Sequence, residues 1–383
     1  MSNILLIRPP FNQARNNKYN SIPLGLLKIS AWKKSIGDKV YYVNGGIPTE
    51  DIPLDNINEI YVTSVFTYES DIVLSSAKYW KLLCKNAKVF LGGTAVTMMP
   101  EYYKQQIPDA EIVIGYHKEA EQFIPDYSIL PTDNKDINNS QIIHTQRSCR
   151  YKCPWCMVYK IEPEDIFYDV EFVKKRILAN PDRKDVLLYD NNFLGNIHCN
   201  EILDMFIEIH KTSKFKFMAT QGFKNLLMTE ELAHKIKSAG FYNIRFSWDN
   251  EGQEESALKC ISFFEKAGYK RNLLQIFVII NNTDIPKVIE KRYLRIYELG
   301  CNIHSDRYRP PDSIYDNYHK GDTDYFINTE YKWTDTNIRS TLNMMSQINY
   351  ASRMGCMLSE VERMQKASIL NKGKSSQKLT EWI

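Results

Sequence analysis

Short apolar runs alternate with amphipathic stretches along most of this chain. Asn3–Ile7 is an apolar run closed by Pro9–Pro10, the pattern of a buried strand with a hard stop. Leu24–Ile36 carries apolar residues at helical spacing, and Gly37 ends it. Lys39–Val43 and Glu59–Val65 read as strands and Asp71–Cys84 as a helix. Lys88–Leu91 is a strand leading into Gly92–Gly93, and Glu111–Ile114 is another. Strands alternating with helices imply βαβ units and a mostly parallel sheet covered on both faces. Right-handed crossovers narrow this to a Rossmann-like, doubly wound α/β domain over residues 1–125. Ligands of such sheets sit beyond the carboxyl ends of the strands, here Arg8 to Lys18, Gly92–Thr97 and Gly115–Glu121.

Phe123–Asn139, rich in Pro, Asp and Asn, reads as a linker, placed at residues 126–140. Six strand–helix units follow over 141–312. The strands are Gln141–Thr145, Asp185–Tyr189, Lys214–Ala219, Asn243–Trp248, Leu273–Ile280 and Asn302–Tyr308. The helices are Val170–Asn180, Asn200–Lys211, Thr229–Ala239, Glu254–Ala267 and Pro286–Leu299. Six units fall short of the eight of a closed barrel, so a partial (β/α)6 TIM-type barrel is expected. Residues 313–383 form a C-terminal extension. It holds a polar, aromatic lid over Asp312–Glu330, a helix Trp333–Asn349 capped by Thr334, a second helix Leu358–Leu370 and a loose stretch Asn371–Lys378.

The candidate chemistry lies just after the first barrel strand. Arg147–Lys160, RSCRYKCPWCMVYK, holds Cys149, Cys153 and Cys156 at C-x-x-x-C-x-x-C spacing. Thiolates suit iron–sulfur clusters and zinc. A structural zinc site wants four protein ligands, so a zinc reading needs a histidine such as His144 or His198. Three unrelated buried cysteines are the other plain reading. The spacing, with Trp155 before the third cysteine, resembles the signature of the radical S-adenosylmethionine (SAM) enzymes. The resemblance implies a [4Fe-4S] cluster on the three cysteines, SAM on the open iron and Trp155 near its adenine. It also implies cofactor contacts at the strand ends. By location these are Asp190, Asn191 and Asn192 for the SAM amino group, Arg245, Ser247, Asp249 and Asn281 for ribose and carboxylate, and Gln221 as a further cofactor contact. Arg307, beside Tyr308 and Arg309, either holds an anionic group or pairs with Asp306 or Asp312. No catalytic residue is assigned.

A second resemblance covers the N-terminal domain. Pro23-Leu24-Gly25-Leu26, then Gly92-Gly93 with Thr97, then Gly115-Tyr116-His117-Lys118-Glu119-Ala120-Glu121 look like the cobalamin-binding domain fused before many radical SAM enzymes. The third segment departs from the family's compact Gly-Glu-Gly-Glu turn, and no D-x-H-x-x-G supplies an axial histidine. Gly92–Gly93 reads equally as a plain tight turn. The resemblance implies cobalamin at this loop, or a bare domain that shapes the active site.

Composition adds limits. With 49 basic and 46 acidic residues among 383, the net charge is +3, and no basic footprint for long nucleic acid appears. No apolar run is long enough to span a bilayer. Cys84, Cys199, Cys260, Cys301 and Cys356 lie apart without a disulfide framework, which fits a reducing cytoplasm. The expected function is reductive cleavage of SAM to a 5′-deoxyadenosyl radical acting on a small molecule, nucleotide or peptide. Methyl transfer follows if cobalamin binds, and a radical rearrangement if it does not. A flavodoxin or ferredoxin would supply the electron. The alternative from another class is a non-catalytic zinc- or Fe–S-binding module.

Overall fold

A computed structural model describes residues 1–11, 22–46, 48–130, 134–316, 318 and 324–359. Most of the expected helix Leu358–Leu370, the stretch Asn371–Lys378, the segment 12–18 and part of the expected lid lie outside the described residues. The chain divides into two compact units. One comprises Met1–Phe217 with Pro310–Phe326, the other Met218–Arg309 with Ile327–Ile383.

The first unit opens with a five-stranded sheet of order β2-β1-β3-β4-β5. Its strands are β1 (Asn3–Arg8), β2 (Lys39–Asn44), β3 (Glu59–Ser64), β4 (Lys88–Gly93) and β5 (Glu111–Ile112), every adjacent pair parallel. The apolar run of β1 is buried on both faces because its neighbours alternate in register. Leu5 and Ile7 pair with Ile60 and Val62, and all four join one core with Val73 and Trp80 from the helix Ser70–Leu83. Ile4, Leu6 and Tyr61 face the opposite core with Leu26 and Ile29 from the helix Leu24–Ser35. Period-two side-chain alternation thus makes a doubly wound layer from one continuous apolar stretch. The strand order reverses between β1 and β3, which marks the switch-point crevice at their carboxyl ends.

The described residues of the segment expected as a linker are anchored by specific bonds. Asn134 caps a short helix, Lys135–Asn139, and Tyr127 is buried with its hydroxyl accepting the Ile142 N–H at 2.8 Å. Asp126 accepts from Ser30 Oγ and Lys34 Nζ, both at 2.6 Å. Polar composition here marks anchoring side chains, which suit caps and turns as well as they suit loose chain.

A second sheet has the order β10-β9-β6, with β6 (Ser140–Ile143), β9 (Asp185–Leu188) and β10 (Lys216–Ala219). Between β6 and β9 a two-stranded antiparallel ribbon, β7 (Gln146–Arg147) with β8 (Ile166–Phe167), brackets the cysteine segment. In the second unit β11 (Arg245–Ser247), β12 (Gln275–Ile280) and β13 (Asn302–Arg307) form a parallel sheet. Helices Glu230–Ser238, Glu254–Lys266 and Pro286–Glu298 fall where the 3.6-residue period put them. Thr229 caps the first of these, as expected, by accepting the Leu232 N–H. The C-terminal helix, Asp335–Met354, starts at a reciprocal Thr334–Asn337 capping box. Its Asn349 side chain takes the Ile303 N–H at 2.8 Å and donates to the Ile303 carbonyl at 2.7 Å.

Gly93 ends β4 at φ +99°, and a Cβ built there would lie 2.2 Å from the Ser64 carbonyl oxygen. Backbone on both sides leaves no flexible side chain to yield. Gly93→Ala should therefore cost about 2 kcal/mol or more, combining left-handed strain with the clash. A lower urea midpoint for loss of secondary structure checks this, and an unchanged midpoint contradicts it.

Candidate functional site

The cysteine segment runs from the carboxyl end of β6, through β7, to the short helix Val158–Ile161. Its root is built by one carboxylate. Asp190, just past β9, is buried at 2% exposure. Its Oδ1 accepts the backbone N–H groups of Thr145 (2.7 Å) and Gln146 (3.0 Å), and its Oδ2 accepts the Thr145 hydroxyl (2.8 Å). Burial pushes this carboxyl up to about 6, against the pull of those bonds. Asn196 donates to the Thr145 carbonyl at 2.7 Å, and Gln146 Nε2 donates to the Asn192 carbonyl at 2.7 Å. The end of β9 and the end of β6 are thereby fused into one polar knot.

Ser148, immediately before Cys149, adopts φ +70°, a left-handed backbone rare outside glycine. Its N–H is held by Glu162 Oε2 at 2.8 Å. Glu162 also takes Arg147 Nη1 at 2.9 Å and Asn191 Nδ2 at 3.1 Å. Past this point the three thiols share one neighbourhood. None of the three cysteines is in a disulfide, and all are partly exposed. Burial raises Cys156 first, and the nearby Cys153 and Cys149 raise it further, as expected of thiols that repel when ionised together. A single backbone bond, Cys156 N–H to the Cys153 carbonyl at 3.0 Å, turns the segment back on itself. Among the described residues no three Cys, His, Asp or Glu side chains stand at metal-ligand range. Clustered thiols close around a metal when it binds, because only then does coordination offset their repulsion.

The donor set suits a cluster on three thiolates. His144, with His198 one of two candidate fourth zinc ligands, engages one ring nitrogen and leaves Nδ1 buried without a hydrogen-bond partner. Its Nε2 lies 3.2 Å from Arg147 Nη1, and its ring meets Tyr189 edge-on. Burial, then Arg147 and Lys28, hold it neutral by driving its pKa well below the usual range. Gln146 Oε1 and Asn192 Oδ1 at the loop root are buried acceptors without a partner, and an amino group is the kind of ligand that would complete them.

The remaining expected residues divide between the units. Asp190, Asn191 and Asn192 do gather beside the cysteine loop, but much of their bonding capacity is spent internally. The carboxylate of Asp190 holds the loop root, and the Asn191 amide donates to Glu162. Trp155 sits in the loop, partly exposed. In the second unit, Arg245 opens β11, Ser247 ends it and Asp249 lies just past it, with Asn281 just past β12 and Arg307 at the end of β13. Gln221 is exposed in the turn after β10. Asp249 is raised by burial and accepts the Ile279 N–H at 3.1 Å. Asn281 is wholly buried at φ +58°, donating to the Tyr308 carbonyl and accepting from the Asn328 N–H, which makes it a staple within the unit. Register aligns Ser247 with Phe277 and Phe277 with His304, so these side chains share one face of the sheet. There His304 packs on the Phe277 ring at 5.0 Å, and the Arg245 guanidinium lies 5.8 Å from the same ring. Neither Phe277 nor His304 was singled out in the sequence. Its alternation within β12 and β13 was the available signal.

In the first unit, Gly92, Gly93 and Thr97 lie at the carboxyl end of β4. Ser64 Oγ donates to the Gly92 carbonyl and accepts the Val96 N–H, and Thr97 Oγ1 accepts the Gly115 N–H at 2.9 Å. The glycine at 93 is thus demanded by Ser64 rather than by a ligand.

No protein-family model matches the sequence, and no curated protein matches it. Solved structures do. The radical S-adenosylmethionine methyltransferase TsrM from Kitasatospora setae, solved with cobalamin and a [4Fe-4S] cluster bound, superposes with a TM-score of 0.67 at 12% identity. The match covers 98% of this chain and 100% of that one. This chain has the fold of that enzyme. The cobalamin-dependent S-adenosylmethionine radical enzyme OxsB, solved with aqua-cobalamin and S-adenosylmethionine bound, matches 91% of this chain and 56% of its own at TM-score 0.56 and 13% identity. The shared fold agrees with the expected α/β architecture, a doubly wound sheet followed by further strand–helix units.

Because Asp190 is neutral more readily when folded, it favours the native state fully below pH about 4 and loses that contribution as pH rises through about 6. Asp190→Asn can keep both backbone bonds through Oδ1 and donate to Thr145 through Nδ2. Denaturation at stepped pH should show that the variant has lost the stability slope between about pH 4 and 6 that the parent carries, a difference on the order of 2–3 kcal/mol. Identical slopes would remove Asp190 from this role.

Proposed function

We propose that this chain is a cobalamin-dependent radical SAM enzyme. The observation that supports it best is the three-cysteine loop, placed directly after β6 in a chain whose fold follows TsrM from end to end. In this reading residues 1–125 are the cobalamin-binding-like domain, 126–140 the linker, 141–312 the radical SAM partial barrel and 313–383 the C-terminal lid and helices. When bound, the cluster and SAM supply reductive cleavage of the sulfonium and a 5′-deoxyadenosyl radical, and cobalamin supplies methyl transfer.

The residues then have separable duties. Cys149, Cys153 and Cys156 hold three corners of the cluster. Asp190 fixes the loop root, while Gln146 and Asn192 offer buried acceptors to the SAM amino group. Trp155 lies by the adenine. Arg245, Ser247 and Asp249 are assigned to ribose and carboxylate and Gln221 to the cofactor at large, with Arg307 for an anionic group, while Asn281 serves as the staple to Tyr308 and Asn328. Gly92, Gly93 and Thr97 shape the corrinoid edge of the first sheet. An outside flavodoxin or ferredoxin delivers the electron to a cytoplasmic enzyme acting on a small molecule, nucleotide or peptide. No helix among the described residues is long and apolar enough to cross a membrane. The alternative of a non-catalytic zinc- or Fe–S-binding module is not favoured, because the chain shares the fold of a radical SAM methyltransferase over 98% of its length.

Anaerobically reconstituted protein should carry about four irons and four sulfides per chain and, given a one-electron reductant, cleave SAM to 5′-deoxyadenosine and methionine. Cys153→Ala should lose the cluster and at least about a hundredfold of that turnover. Zinc without acid-labile sulfide in the parent protein would overturn the reading.

A further inference from the structure

Glu121 belongs to the segment after β5 that departs from its family pattern, and it is not at the surface. Its Oε1 accepts from Lys28 Nζ at 2.8 Å and from Arg147 Nη2 at 2.7 Å, with Tyr168 Oη at 3.4 Å. Side-chain exposures of 9% for Lys28, 11% for Arg147 and 12% for Glu121 put the group out of water. Arg147 also spans to Glu162 at 2.9 Å, and its guanidinium stands 5.5 Å from the centre of the Tyr116 ring. Glu162 continues the chain to Ser148 N–H and Asn191. Burial alone would push the Glu121 carboxyl up, but Arg147 and Lys28 together hold it below its usual range. Removing one member of such a buried set leaves a charge without a partner, which costs more than the pair contributes.

We infer that Glu121 and Glu162 are positioning residues for the cysteine loop: they clamp Arg147 between them and tie the loop's first residues to the turn after β5. Glu162 does so directly, by holding the left-handed Ser148 that aims Cys149. Glu121 does so at one remove, from the carboxyl edge of the first sheet. Any ligand that shifts the Gly115–Glu121 turn is thereby felt at Cys149. All of these residues lie in the first compact unit. Only the identity of what the loop holds rests on the function proposed above.

The test is amide hydrogen exchange on the full chain without metal, comparing Glu162→Ala, Glu121→Ala and Glu162→Gln with the parent. Exchange of the 147–149 amides should rise about tenfold in Glu162→Ala and several-fold in Glu121→Ala, with the β6 amides unchanged. Glu162→Gln, which keeps one acceptor, should fall between. In the iron-loaded protein, the same variants should lose iron to a chelator faster in the same order. Unchanged 147–149 exchange in both alanine variants would overturn the inference, as would a rise shared equally by β6. If the parent protein binds no iron, the functional reading fails alone, and the exchange experiment still decides the clamp.

Discussion

The polar construction of this chain turns on a carboxylate buried where two strands end. Asp190 lies at the carboxyl end of β9, yet all three of its hydrogen bonds go to Thr145 and Gln146, just past β6. A buried carboxyl group pays heavily for lost hydration, and only converging donors make it tolerable. Those donors exist only if β6 and β9 are paired in their observed register, Ile143 beside Leu188. The same bonds fix where the chain leaves β6, and so where the cysteines begin. Sheet pairing and loop placement are satisfied together or not at all.

The first sheet works by a different economy. Its strands are apolar on both faces, and the alternation of β1 feeds two cores without a single buried charge in β1 before Arg8. Polar groups gather only where the strands end. Arg8 donates to Asn44 at 2.9 Å, and Ser64 bridges the β4 turn. The ion pairs of Lys28, Glu121 and Arg147 stand where the turn after β5 meets the cysteine segment. Apolar burial therefore sets the layers, and charge sets the junctions.

That division explains what was legible in the sequence. Strands and helices followed from period-two and period-3.6 repeats, and the cap of the C-terminal helix from Thr334. The cysteine spacing singled out its own segment. Tertiary polar contacts were not legible, because nothing periodic links Arg147 to Glu121, 26 positions away, or Thr145 to Asp190, 45 away. For the same reason Asp126 and Tyr127 looked like linker until their partners on the helix Leu24–Ser35 and on β6 were seen. Asp190 was picked by location as a cofactor contact, while its burial shows a carboxylate already engaged. Strand-end Asp and Asn look alike whether they face inward or outward.

One amide in the second unit has a consequence for solubility. β13 is the last strand of its sheet, and a last strand presents bare N–H and C=O groups that invite a neighbouring molecule to add itself. Asn349, from the helix Asp335–Met354, meets both backbone groups of Ile303 as a facing strand would, but offers no onward ladder. One side chain thus blunts the rim near its start. A chain shortened to end before that helix would keep its strands and still be left with an adhesive border.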